Sequence, residues 1–129
     1  LVRGLPLSDE TDMHVTGCDI QVYSHLNTAD FQSKILQSKL IVSRSGYSSI
    51  MDYFKLDSKA LLIPTPGQTE QEALATDLRN QGLFHAVQQD HLCLEDIEKA
   101  LQEESLKRHN LDSDYFNQFW KRIYESFGD

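Results

Sequence analysis

Leu40-Ile41-Val42-Ser43-Arg44-Ser45-Gly46-Tyr47-Ser48-Ser49-Ile50-Met51-Asp52 is the stretch on which the fold turns. An unbroken apolar run (Leu40, Ile41, Val42) passes into a polar turn around Gly46 and then into a segment that reads as a helix starting near Tyr47. Continuous rather than alternating apolar residues fit a strand buried on both faces, as in a parallel sheet covered by helices. The same grammar recurs on either side. Ile20-Gln21-Val22-Tyr23 comes before it; Ala60-Leu61-Leu62-Ile63 and the weaker Leu83-Phe84-His85-Ala86-Val87 come after. Helical patterns separate these runs. Asn27 or Thr28 can cap a helix with Phe31, Ile35 and Leu36 on one face. Thr69 can cap another, carrying Leu74 and Leu78 and ending near Gly82. Leu94, Ile97 and Leu101, spaced by three and four, place a helix after the fourth run. Strand and helix alternate, which predicts a doubly wound α/β sheet with strands near 1–3, 19–23, 39–43, 59–63 and 84–87.

The two ends differ from this middle. Ser113 can cap a helix reaching Phe127, with Phe116, Phe119, Trp120, Ile123 and Phe127 as one aromatic stripe. That stripe either packs on the sheet or docks a partner domain, since Trp and Phe are enriched in interface cores. Residues 107–112 read as a connector. At the other end, Leu1-Val2-Arg3-Gly4 reads as the close of a strand and a glycine turn. A Rossmann-type unit normally opens earlier, with a phosphate-binding glycine loop, and no GxGxxG occurs here. The expectation is a fragment of a longer protein or a degraded domain, divided into a Rossmann-like part over 1–106 and a connector with its aromatic helix over 107–129.

The 129 residues suit about one domain on a prior of roughly 100–200 residues each. Hydrophobic residues at 40% and charged residues at 25% exclude a disordered chain. Twelve basic against 20 acidic residues leave a net charge of −8, which argues against a nucleic-acid surface. A small anionic ligand stays open, because a local pocket can bind phosphate whatever the global charge. No apolar run approaches the roughly 20 residues of a membrane span, and the N-terminus does not read as a signal peptide. Cys18 and Cys93 have neither CxxC nor zinc spacing. His14, His25, His85, His91 and His109 do not fall at ligand spacing, so no metal and no cofactor is expected. A cytoplasmic chain is the expectation.

Ligands of open α/β sheets bind beyond the carboxyl ends of the strands. Two polar segments are expected there. In the first, Gly46 with its flanking serines can turn tightly, and the helix starting near Tyr47 points its positive end at the strand edge. A diphosphate suits that position, with the hydroxyls of Ser45, Ser48 and Ser49 as donors. Asp52, about one and a half turns on, can accept two hydrogen bonds from a ribose diol. The plainer alternative is a capped helix after a glycine turn. The second segment is Pro64-Thr65-Pro66-Gly67-Gln68-Thr69-Glu70-Gln71. Its prolines stiffen the loop, Gly67 supplies a positive φ, and Gln68, Glu70 and Gln71 offer groups suited to a polyol. Thr69-x-x-Glu72 can equally be a capping box, and both readings can hold at once. After the second strand, the backbone of His25-Leu26-Asn27 can pair with the edge of a planar base. His25 on its own reads better as a loop residue than as a catalyst.

Residues 19–101 resemble the C-terminal, nucleotide-sugar-binding half of GT-B glycosyltransferases. Within these the pattern is similar to the family containing the peptidoglycan lipid-intermediate N-acetylglucosaminyltransferase (family 28 C-terminal-like). The resemblance is carried by the strand, the Arg44-Ser45-Gly46 turn, an acidic residue six positions after the glycine, and a second strand ending in Pro64. A loop containing Gln68, Glu70 and Gln71, with Ala75 after it, completes it. It implies a Rossmann-like parallel sheet with helices on both faces, the N-terminally truncated half of a GT-B fold. It further implies that Leu26 holds a uracil edge with His25 beside the base. Arg44, Ser45, Gly46, Tyr47, Ser48 and Ser49 would form the turn at the diphosphate. Asp52 would take a ribose role usually played by Glu. Pro66, Gly67 and Gln68 belong to the sugar loop, and Glu70 with Gln71 replace a usual Gln-Gln pair on the sugar hydroxyls. Glu70 cannot donate an amide hydrogen bond, which bears on the identity of the sugar.

The activity implied is transfer of a hexose or N-acetylhexosamine from a UDP-type donor to an acceptor hydroxyl. The partners implied are that donor and an acceptor-binding N-terminal domain or subunit. Peripheral contact with the inner face of the membrane would come through that partner, and so would the catalytic base. In this family the leaving group is typically stabilised without a bound metal. A donor half alone should transfer poorly, because acceptor positioning supplies much of the rate. Two other classes stay open. One is a relative of the non-hydrolysing sugar-nucleotide 2-epimerases, normally richer in His and Arg at the site. The other is a non-catalytic binding or interaction module whose working surface is the aromatic helix.

Overall fold

The computed structural model describes residues 2, 13–14, 21–23, 25–103 and 113–127. It divides into two units, Leu1–Gln37 and Ser38–Asp129. In the first unit β1 (Met13–His14) pairs antiparallel with β2 (Gln21–Val22), and Val2 bridges Tyr23 in parallel. β2 lies within the strand expected at 19–23, whereas β1 and its antiparallel pairing have no counterpart in the sequence reading: two residues are too few for a period to register. Helix α1 (Thr28–Gln37) follows, capped by Asn27. Asn27 Oδ1 accepts the Asp30 N–H at 2.9 Å, and its Nδ2 donates to Asp30 Oδ2 at 2.6 Å. Ile35 is the buried residue of this helix; Leu36, placed on the same face by its spacing, is 64% exposed.

The second unit is a strand–helix alternation: β3 (Ile41–Ser43), α2 (Tyr47–Lys55), β4 (Ala60–Leu62), α3 (Thr69–Asn80), β5 (His85–Ala86), α4 (Leu94–Gln102) and α5 (Ser113–Phe127). A short 3-10 turn, Gln89–His91, lies between β5 and α4. The three strands form a parallel sheet in the order β3-β4-β5. This is the mixed α/β, Rossmann-like architecture expected for the C-terminal half of a GT-B enzyme.

Register decides which helix covers which face. Val42, Leu61 and His85 are in register and share one face; Ser43, Leu62 and Ala86 share the other. On the first, His85 Nε2 meets Glu103 Oε2 at 2.5 Å and Lys59 donates to the Leu101 carbonyl at 3.0 Å, which brings the end of α4 there. On the second, Phe54 of α2 packs edge-to-face on Phe84 with centroids 4.9 Å apart. Both crossovers advance in the same direction along the sheet, so right-handed connections put α3 on the same face as α2.

Only the central strand fits the expectation of two buried faces. Ala60, Leu61, Leu62 and Ile63 are all buried, and each large side chain contributes about 1.5–3 kcal/mol by leaving water. β3 is an edge of this sheet, and its Val42 is half-exposed. Helix α4 forms where its spacing predicts, yet Leu94 and Leu101 are exposed and Ala100 is its buried residue. Gly82, at φ +69, terminates α3 as expected. The readings made at residues 1, 3–4, 18, 19–20, 107–112 and the side chains of His14, Phe116 and Phe127 lie outside the described residues or atoms.

Candidate functional site

The carboxyl ends of β3 and β4 release the two polar loops side by side, and two residues fasten them together. Arg44 Nη1 donates to the Ile63 and Pro64 carbonyls at 3.3 and 3.2 Å, and its Nη2 to Gln89 Oε1 at 2.7 Å. Ser45 is fully buried, and its hydroxyl donates to the Gln71 carbonyl at 2.9 Å. The Ser45 proton expected to reach a phosphate is thus engaged with the neighbouring loop, and the Arg44 guanidinium clamps strand ends.

Gly46 precedes α2 with φ −76 and ψ 138, an extended conformation open to any residue. A Cβ built on it meets nothing within 4 Å. The tight glycine turn expected here is absent, because the first α2 hydrogen bond, Ile50 N–H to Gly46 carbonyl at 3.0 Å, closes from an ordinary extended entry. No side chain caps this start and no acidic residue occupies its first turn. Gly67, in contrast, has the positive φ that the sequence implies, at +81.

Helix α3 begins at Thr69, with Gln68 at the capping position and no side-chain cap from it. The expected Thr69–Glu72 box is replaced by a longer reach: Glu72 Oε1 accepts the Gly67 N–H at 3.1 Å. Gln71 Oε1 accepts the Thr65 N–H at 3.0 Å, and its Nε2 donates to Gln68 Oε1 at 2.6 Å.

Between the helix starts lies a cleft of about 830 Å³. It unites six of the residues singled out in sequence: Ser45, Gly46, Tyr47, Gln68, Glu70 and Gln71. Thr69 and Leu74 of α3 and Ile123 and Tyr124 of α5 complete it. Arg44, Ser48, Ser49, Asp52, Pro66 and Gly67 are not among its lining residues. Asp52 is half-buried on α2, about 200° around the axis from the buried Ile50. His25 and Leu26 belong to the first unit, in the segment leading into α1.

The wall supplied by α5 is the part that sequence reasoning missed. Trp120 packs edge-to-face on Tyr47, the first residue of α2, with centroids 4.4 Å apart, and Phe119 meets Trp120 edge-to-face at 5.0 Å. Phe119, Trp120 and Ile123 are buried. The described part of the stripe, Phe119, Trp120 and Ile123, therefore packs at the cleft end of the unit, beside the start of α2. The signal was present in Tyr124, four residues after Trp120 and so on the same side of the helix, but its polar edge left it out of the stripe.

Among the described residues no group of three or more His, Cys, Asp or Glu could hold a metal ion, and no helix is long and apolar enough to cross a membrane. A parallel Rossmann-like sheet with a cleft at the carboxyl ends of its strands is the α/β arrangement in which ligands bind. The family model for the glycosyltransferase family 28 C-terminal domain matches residues 8–125, and the chain belongs to that family. It is a donor-binding domain of a glycosyltransferase. No curated protein and no solved structure matches it.

Proposed function

We propose that the domain binds a UDP-type nucleotide sugar and presents its hexose or N-acetylhexosamine to an acceptor hydroxyl held by a separate domain or subunit. One observation carries this reading: within one cleft, an uncapped helix start faces a loop rich in polyol partners. The first turn of α2 offers free backbone N–H groups and a positive dipole end, which suits the diphosphate and stabilises it as it leaves. Gln68, Glu70 and Gln71 supply amide and carboxylate groups for sugar hydroxyls. Glu70 accepts hydrogen bonds only, so it selects a sugar that presents a hydroxyl donor to it. Asp52 is assigned to the ribose by its place six residues after Gly46. The base that deprotonates the acceptor is assigned to the acceptor-binding partner.

Calorimetric titration of the chain with UDP, UDP-N-acetylglucosamine and the corresponding purine diphosphates tests this. The expected result is selective binding of a uridine nucleotide, weakened about tenfold or more in Asp52→Ala and in Glu70→Ala, the latter only for the sugar-bearing ligand. Equal binding of purine and pyrimidine diphosphates, or unchanged affinity in both variants, overturns the assignment.

A further inference from the structure

The cleft is lined mostly by apolar surface, and one of its walls comes from the far end of the sequence. Ile123 and Tyr124 project from α5, a 15-residue helix anchored through buried Phe119, Trp120 and Ile123. Trp120 seats this helix on Tyr47, at the very start of α2. Tyr124 lies one turn further along the same side, lines the cleft, and is nevertheless 72% exposed. The helix is held in place by its other aromatics, so this ring is free to serve a ligand.

We infer that Tyr124 is the platform on which the ring of the transferred sugar lies, so that α5 takes part in donor selection. This deepens the reading of the preceding subsection and rests on it. A pyranose has a face of C–H groups and a rim of hydroxyls. An aromatic ring matches the face, and a carboxylate with neighbouring amides matches the rim. Both kinds of group line this cleft: Tyr124 on one wall, Gln68, Glu70 and Gln71 on another. The charged part of the ligand is drawn to α2, whose first turn has no acidic residue, and kept from α3, whose first turn holds Glu70 and Glu72. A neutral ring with an apolar face is what remains for the space beside Tyr124.

The test is the affinity ratio of UDP-N-acetylglucosamine to UDP, measured by calorimetry on the full chain and on Tyr124→Ala and Tyr124→Phe. The exposure of Tyr124 makes both substitutions compatible with folding. The expected result is that Tyr124→Ala lowers the ratio by about threefold to tenfold while UDP binds within about twofold of the parent. Tyr124→Phe, which keeps the ring, should keep the ratio. An unchanged ratio in Tyr124→Ala, or an equal loss for UDP and the sugar nucleotide, overturns this inference alone. So does a parent chain that binds both ligands equally. A parent chain that binds neither ligand overturns the donor assignment, and this inference with it.

Discussion

Helices α2 and α3 begin in the same way in sequence, each after an apolar strand and a glycine-bearing loop, and their first turns differ in charge. At α3 side chains of the helix tie down the loop before it, Glu72 taking the Gly67 N–H and Gln71 the Thr65 N–H, and two acidic residues occupy the first turn. Neither helix has a side-chain cap from its capping residue, and α2 has no acid in its first turn. Acidic side chains offset the helix dipole at the start of α3, and none does so at the start of α2. The two glycines differ as well. Gly67 is required by its own backbone, at φ +81; Gly46, at φ −76, is not, and both face open space where a Cβ would stand.

The hardest blow to this contrast is Gly46→Asp, which would make α2 resemble α3. Asp is a good capping residue and φ −76 suits it, so the fold should hold or gain a few tenths of a kcal/mol. The new carboxylate would face the diphosphate at close range. Two like charges about 4 Å apart near a surface repel strongly enough to lower UDP affinity on the order of a hundredfold or more. Stable protein with lost binding is the expected pair of results, read by urea denaturation and calorimetry. Retained UDP affinity would show that the open helix start is not the phosphate site.

Alanine at each glycine sharpens the comparison at a smaller scale. Gly67→Ala forces a Cβ into left-handed backbone and should cost about 1–2 kcal/mol, with an earlier urea midpoint and an unchanged slope. Gly46→Ala has no such strain, so its effect should stay within about 1 kcal/mol, the loss of a tolerable capping residue. Equal destabilisation by the two would remove the distinction between the two backbones.

The alternation of strand and helix was legible because each buried run of the second unit is short, apolar and bounded by turn residues. β4 matched in full, being the central strand with helices over both faces. Val42 departed because edge position cannot be read from a run of three apolar residues. In the cleft, chemistry was legible but wiring was not. Ser45 reads as a phosphate donor by residue type, and only the spatial neighbourhood of Gln71 reveals where its proton goes. Arg44 is the same case: a lone arginine in a polar loop suggests an anion, while the nearby Ile63 and Pro64 carbonyls claim it. Ile123 and Tyr124 could not be placed beside Glu70, more than fifty residues earlier, by any local pattern. Long-range pairing is what sequence periodicity omits.

A third helix start tests the capping side of the contrast through pH. Helix α4 follows Cys93, whose N–H and Sγ both point to Asp96 Oδ2, at 3.0 and 3.1 Å. The bond from the Cys93 side chain, then that from its backbone, holds the Asp96 carboxyl below the 3.8 of an ordinary aspartate; Lys99 and His85 act in the same direction, against some desolvation. The folded value is the lower one, so the charged cap stabilises the native state at every pH above the unfolded value. That contribution fades as the pH falls from there through the folded value, where both states carry the proton. The stability difference between the parent and Asp96→Asn should therefore be constant at neutral pH and shrink below about pH 4, as measured by urea midpoints across the acid range. It is the smallest of these effects, because the carboxylate is open to solvent. A difference that holds steady or widens on acidification would mean that α4 is closed by something other than the Asp96 charge.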